Sequence, residues 1–285
     1  MIYLYHIYTY FSYNFNEFAK YFSNWNKSDN SYNIYNKKYS LVLNQNNMSY
    51  TVKQVSEVVL KKEFWWEELI ISSGKLAPQA DGAVSVKYGN TELLVTAVMN
   101  RNPDPDKDFL PLTIDYRDGY YAAGKIGGGA YRKREWRPTD MAVLGGRIVD
   151  RTLRPMFPKG LVNDIVITIT PLSFDRVHDM ATLAIFGGSL AIMMAGIPFD
   201  GPVAGVRIGF SEKMNNELIA NPSIDQFENN GFNLLVSGKK WTLNMIEMDG
   251  VEISEDAMKS AFEMSQKAID ELCDIQVEYL EKLSI

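Results

Sequence analysis

The sequence predicts an α+β domain with a mixed β-sheet and packed helices, followed by a long C-terminal helix. Three observations carry this. Apolar, β-branched runs cluster between turn residues from Gly82 onward. A few helical stretches stand between those clusters, which is the pattern of an α+β domain. After Ser254, apolar residues recur at helical spacing to the end of the chain. With 285 residues, 46% apolar and 22% charged, the composition is ordinary for a globular protein with a core of its own.

The elements follow in order. Ala83 to Lys87 alternates, Tyr88-Gly89-Asn90-Thr91 supplies a turn, and Leu93 to Val98 is a more buried strand, so the three read as a hairpin. Asn102 to Asp106 is a loop by its Pro and Asp content. Leu112 to Tyr116 is a third strand, and the glycine-rich stretch from Gly124 to Gly129 is a loop. Pro138-Thr139-Asp140 opens a helix reaching about Leu153, capped by Thr139 or Asp140 and stopped by Pro155 and Pro158. Ile165 to Thr170 is β-branched nearly throughout and reads as a central strand. Asp179 to Ala195 is helical and apolar on nearly all sides, which predicts burial between other elements. Val203 to Phe210, Asn233 to Val236 and Thr242 to Met248 are further strands. Ser254 caps the last helix, and Glu255 and Asp256 suit the positive end of its dipole.

Residues 1–47 differ. Ten of the sixteen tyrosines fall within the first fifty positions, with asparagine equally frequent. The opening stretch lacks the basic start and small-residue cleavage site of a signal peptide, and polar groups interrupt it too often for a bilayer span. The low complexity predicts a disordered or non-native extension, with the domain proper starting near Met48.

The single cysteine, Cys273, rules out an internal disulfide and fits a reducing, cytoplasmic setting. Two histidines without a Cys/His cluster leave no zinc site of the usual kind. The net charge of −6 argues against a generic nucleic-acid coat. Between Gly124 and Gly160, however, nine basic residues face only three acidic ones. One positive site on an acidic body draws a polyanion to one place.

Within that segment Tyr131 adjoins Arg132, Lys133 and Arg134, with Arg137 just beyond. An aromatic face beside cations suits a single strand, whose bases stack and whose phosphates need charge. On the next helix Arg147, Arg151 and Arg154 share one face by their spacing. Spacing alone leaves two readings of these cations: an RNA-facing surface, or a solvated face neutralised by Glu135 and Asp150. Other signals are weaker. Gly124-Lys125-Ile126-Gly127 matches a G-x-x-G loop without the helical framework of a KH module. No P-loop or Rossmann fingerprint follows a strand. Asp179 beside His178 is a helix cap rather than half of an acid–base pair, Cys273 is a small buried hydrophobe, and Trp65-Trp66 is edge packing.

The run Gly74-Lys75-Leu76-Ala77-Pro78-Gln79-Ala80-Asp81-Gly82 resembles the opening of the polynucleotide phosphorylase family. Asp108 to Tyr116 and Tyr121 to Ile126 resemble its next two blocks. Arg137-Pro138, Arg147 to Pro158 and Ala195 to Pro202 resemble three more. The resemblance runs from about Met48 to the end. It implies a first RNase PH-like core domain over 48–250 and the start of a helical linker over 251–285, as the N-terminal part of a longer protein; the alternatives are a stand-alone phosphorolytic RNase of the RNase PH type and a catalytically silent RNA-binding ring subunit. Family members degrade RNA from its 3′ end with inorganic phosphate, releasing nucleoside diphosphates. They form ring-shaped trimers around a central channel and work with RNA-degradation complex proteins. The resemblance therefore implies single-stranded RNA and further copies of the chain as partners. It assigns RNA binding to Tyr131, Arg132, Lys133 and Arg134, although this loop departs from the family's usual two aromatics and two arginines. Catalytic copies of the core carry two aspartates six residues apart, for a magnesium ion. Here Asp225 stands at the first position and Gly231 at the second. The resemblance thus implies that magnesium and phosphate are used by a second core domain and that this domain has no catalytic or metal-binding residues of its own.

Overall fold

The computed structural model describes residues 57–103, 106–126, 138–210, 217–226, 232–250 and 253–285. Chain order gives β1 (Val58–Phe64), β2 (Glu67–Ser73), β3 (Gly82–Tyr88), β4 (Thr91–Met99), β5 (Leu112–Tyr116), α1 (Asp140–Leu153), β6 (Ile165–Ser173) and α2 (Met180–Ala195). Then come β7 (Ala204–Phe210), β8 (Ile219–Ala220), β9 (Phe232–Lys239), β10 (Thr242–Gly250) and α3 (Glu255–Lys282). The strands form two sheets, ordered β1-β2-β3-β4-β6-β5 and β10-β9-β7-β8. The first sheet is mixed: β5 runs parallel to β6, and the other pairs are antiparallel. A parallel pair needs a crossover, and α1 supplies it.

The sequence pattern accounts for most of these elements. Gly89 and Asn90 turn β3 into β4, with Gly89 at φ 57°, as a two-residue hairpin of this hand requires. Thr139 caps α1 by accepting from the Ala142 amide at 3.2 Å, Asp179 caps α2 through Ala181, and Ser254 caps α3 through Ala257. Each removes one unpaired donor from a helix start.

The hairpin β1–β2 has no counterpart in the sequence reading, which left its strands unassigned. Its turn is Trp65-Trp66, with Trp65 itself at φ 59°. The glycine or asparagine that usually announces such a turn is missing. Trp66 stands at a hairpin tip, 70% exposed, and its indole N–H reaches the Ala220 carbonyl.

Helix α2 packs between the two sheets. α2 is buried along nearly its whole length, as its all-round apolarity predicts. Its glycines permit close approach. A Cβ on Gly187 would stand 2.7 Å from Val95 of the first sheet, and one on Gly188 would stand 3.0 Å from Leu153 of α1. On the other side, Ile185 meets Gly205 of β7. α3 covers the second sheet, where Gln276 donates to the Val203 carbonyl. Its far end reaches the first sheet, where the buried Tyr279 hydroxyl bonds the Val58 carbonyl and the Ser73 hydroxyl. Among the described residues no helix is long and apolar enough to cross a membrane.

Candidate nucleic-acid interface

The candidate loop grows from a closed neck. On its entry side Gly119 (φ 56°) and Gly124 (φ 68°) bracket a 3-10 turn, Tyr120–Ala123. Both take the left-handed conformation that glycine adopts without strain. On its exit side Asp118 accepts from the Thr139 amide at 2.8 Å and its hydroxyl at 3.0 Å. The same threonine caps α1, so one carboxylate ties the start of the helix to the strand end before the loop. The segment ahead of α2 fixes the turn from a third direction. Phe174 donates its amide to the Ala122 carbonyl at 2.9 Å, and Arg176 Nη2 donates to the Ala123 carbonyl at 2.8 Å. At this neck Tyr121, Lys125 and Ile126 are exposed. Tyr131, Arg132, Lys133, Arg134 and Arg137 lie outside the described residues.

The three arginines that spacing placed on one face of α1 have different fates. Arg147 is exposed and has no hydrogen bond or ion pair among the described residues. Arg151 approaches Glu247 of β10 only loosely, at 4.0 Å. Arg154 is committed to the fold. Its Nε and Nη2 donate to Asp150, while Nη1 and Nη2 reach the Leu110 and Leu112 carbonyls. Asp150 is the neutralising partner that spacing suggested, and it serves Arg154 alone of the three.

A second polar cluster sits at the start of α2. Asp175 accepts from the Val177 amide at 2.8 Å, the His178 amide at 3.1 Å, the Thr91 hydroxyl at 2.9 Å and the Asn90 amide at 3.2 Å. His178 Nδ1 lies 2.7 Å from Oδ2, the oxygen that also takes the Asn90 amide. Burial pushes the Asp175 carboxyl up, but these hydrogen bonds outweigh it and hold the group at about 2. Asp179 faces Arg207 of β7, whose Nε and Nη2 both reach one carboxylate oxygen at 3.0 and 2.9 Å. Arg207 Nη1 donates to Asn233 at 2.8 Å, and its main-chain amide donates to Asn221. Beside the cluster is a small pocket lined by Phe64, Leu69, Tyr88 and Phe186, with His178, Asp179 and Arg207 among its polar groups. The His178 ring stands edge-on to Tyr88 at 4.9 Å.

This donor set does not fit a magnesium ion. The described residues contain no group of three or more His, Cys, Asp or Glu that could hold a metal. Asp175 is saturated by donors, Asp179 is neutralised by Arg207, and Asp164 pairs with Lys107 at 2.8 Å. Asp225 lies in a 3-10 turn, Ile224–Gln226, and is described by its backbone alone; Gly231 lies outside the described residues. Arg207, the cation that faces the pocket, is already taken by Asp179 and Asn233.

Sequence reasoning found Asp179 as a cap but missed Arg207, Arg176 and the bonds that Asp175 makes. Arg207 had a signal: a lone arginine in the apolar strand AGVRIGF demands a partner when half-buried. Asp175 had none, since its partners Asn90 and Thr91 come from a turn more than eighty positions away.

Comparison with known proteins adds the following. Residues 67–198 match the model of the 3′ exoribonuclease family, domain 1, and residues 201–268 match that of domain 2. The polyribonucleotide nucleotidyltransferase of Roseiflexus sp. (strain RS-1) is 43% identical over 210 residues, which are 74% of this chain and 28% of that protein. That of Sulfurihydrogenibium azorense is 42% identical over 225 residues, 79% of this chain and 31% of that protein. That of Dehalococcoides mccartyi (strain CBDB1) is 44% identical over 216 residues, 76% of this chain and 29% of that protein. The chain thus spans under a third of the length of these relatives. The crystal structure of rice (Oryza sativa) Rrp46 superimposes with a TM-score of 0.56 at 12% identity, covering 79% of this chain and 94% of that one.

Proposed function

Because the chain belongs to the 3′ exoribonuclease family of RNase PH-like proteins, we propose that it carries the first core domain of a phosphorolytic 3′-to-5′ exoribonuclease. In this reading the parent enzyme is a polyribonucleotide nucleotidyltransferase that releases nucleoside diphosphates from RNA with inorganic phosphate and magnesium. The domain's own task is to hold single-stranded RNA and to build a homotrimeric ring. The observation that carries the division of labour is the state of the charged groups at the start of α2. Arg207 and Asp179 neutralise each other, and Asp175 is filled by donors from the protein itself. In the pocket beside them, Arg207 is not open to phosphate and neither carboxylate is open to a metal.

Holding RNA without cleaving it needs only the basic segment. Tyr131 offers a stacking face and Arg132, Lys133 and Arg134 offer charge, with Arg137 and Arg147 beyond them. Arg151 is only loosely paired and stays in this set, whereas Arg154 already serves Asp150 and two carbonyls. Replacing Arg132, Lys133 and Arg134 by alanine should weaken binding of a labelled oligoadenylate and flatten its salt dependence, by about 0.7 slope units for each phosphate that the protein no longer neutralises. Unchanged affinity and slope would remove the loop from the interface. Light scattering on the same chain tests the ring: a trimer supports an assembly contact within this domain, and a monomer assigns that contact to the second core.

A further inference from the structure

We propose that Arg176 binds the phosphate backbone of single-stranded RNA at the neck of the aromatic-basic loop, as a contact separate from the loop's own cations. The proposal rests on the RNA-binding reading above. It starts from a backbone outlier. Arg176 has φ 65°, a left-handed conformation that strains a bulky residue and that glycine adopts freely. The surroundings force it. Phe174 on one side is bonded to Ala122, and Val177 and His178 on the other are both held by Asp175. Strain held in place this way is a reason to ask what the side chain does.

The side chain is exposed, and its guanidinium is mostly uncommitted. It carries five N–H donors in a planar fork. Its one hydrogen bond among the described residues is from Nη2 to the neutral Ala123 carbonyl at 2.8 Å. Among the described residues it has no ion pair, in contrast to Arg154 and Arg207. The carboxylate next to it in sequence, Asp175, spends its oxygens on Thr91, Asn90, His178 and the amides after it. The positive charge of Arg176 is therefore not neutralised by any described residue.

Its place suits RNA. The carbonyl that holds Arg176 belongs to the turn from which the loop departs, and the exposed Tyr121 and Lys125 flank that carbonyl in sequence. A fixed cation beside an aromatic side chain and a second cation is the composition of a single-strand binding surface. Tethering through Nη2 orients the fork and leaves its remaining N–H groups for phosphate oxygens, the pairing arginine makes best. The opposing reading is a plain structural tether for the turn, and the two separate by charge.

The test titrates a labelled oligoadenylate against the full chain over a range of salt concentrations. Arg176→Ala should weaken binding about tenfold and lower the salt slope by about 0.7. Arg176→Gln keeps N–H donors but has no charge; it should bind as poorly as the alanine variant and show the same lowered slope. Arg176→Lys should keep the slope and most of the affinity. Arg176→Gly fits the left-handed backbone, so it should melt no lower than the parent and still lose binding, which decides the matter should the alanine variant fail to fold. Parent-like affinity and slope in Arg176→Gln would make the residue a tether only and overturn the proposal. If the parent chain binds and the Arg132/Lys133/Arg134 triple variant alone is weakened, this inference fails and the loop reading stands. If the parent does not bind RNA, both fail.

Discussion

The Asp175 carboxylate collects donors from the β3–β4 turn, from the start of α2 and from the His178 ring, and so joins segments far apart in sequence. Its side chain is only 12% exposed, so its hydrogen bonds are little screened. A carboxyl held at about 2 stabilises the fold fully above the unfolded-state value of about 4 and loses that contribution as pH falls through about 2. Asp175→Asn keeps the shape and removes the charge, so it should cost about 2 kcal/mol near neutral pH. Denaturant unfolding at several pH values checks this: the gap between parent and variant should narrow from about pH 4 downward and close near pH 2. A constant gap would mean that the charge is not what these donors hold. Sequence reading at this scale reached the caps, Thr139, Asp179 and Ser254, because a cap is local. It missed Arg207 and the bonds of Asp175 to the β3–β4 turn because tertiary folding brings those partners in.

From β3 onward the elements other than the two-residue β8 were legible, since period-2 and period-3.6 patterns report burial directly. The β1–β2 hairpin was not, because Trp65 takes a left-handed turn position where glycine or asparagine is the usual signal. That hairpin is held from outside by α3. Tyr279→Phe removes both hydrogen bonds that its hydroxyl makes, to the Val58 carbonyl and with the Ser73 hydroxyl, and leaves the half-buried Val58 carbonyl without that donor. It should cost about 1–2 kcal/mol, measured as a lower denaturation midpoint with unchanged slope. Close packing of α2 on the first sheet gives a sharper case. A Cβ at Gly82 would collide with the Ala191 carbonyl oxygen, a backbone atom, and stand 2.8 Å from the Ala195 amide nitrogen. At Gly187 the nearest atom is a side-chain methyl of Val95. Gly82→Ala should therefore destabilise more than Gly187→Ala, by roughly 2 kcal/mol or more, because a helix must shift rather than a methyl rotate. Equal losses would show that α2 moves freely on the sheet.

At the scale of the whole molecule, one basic segment stands on a chain of net charge −6, and Asp175, Asp179 and Arg207 at the start of α2 are satisfied internally. Within that segment the fold uses Arg154 and leaves Arg147 exposed, a distinction that helical spacing alone does not carry. The central claim is that this chain holds RNA without breaking it, since binding a substrate does not by itself lower its barrier. The direct measurement is release of ADP from poly(A) in phosphate and magnesium by the full chain, purified free of host nuclease, beside its Asp225→Ala variant. The expected result is no ADP from either protein, with poly(A) binding intact in both. ADP release by the parent that disappears in Asp225→Ala would contradict the claim and make this chain a phosphorolytic enzyme in its own right.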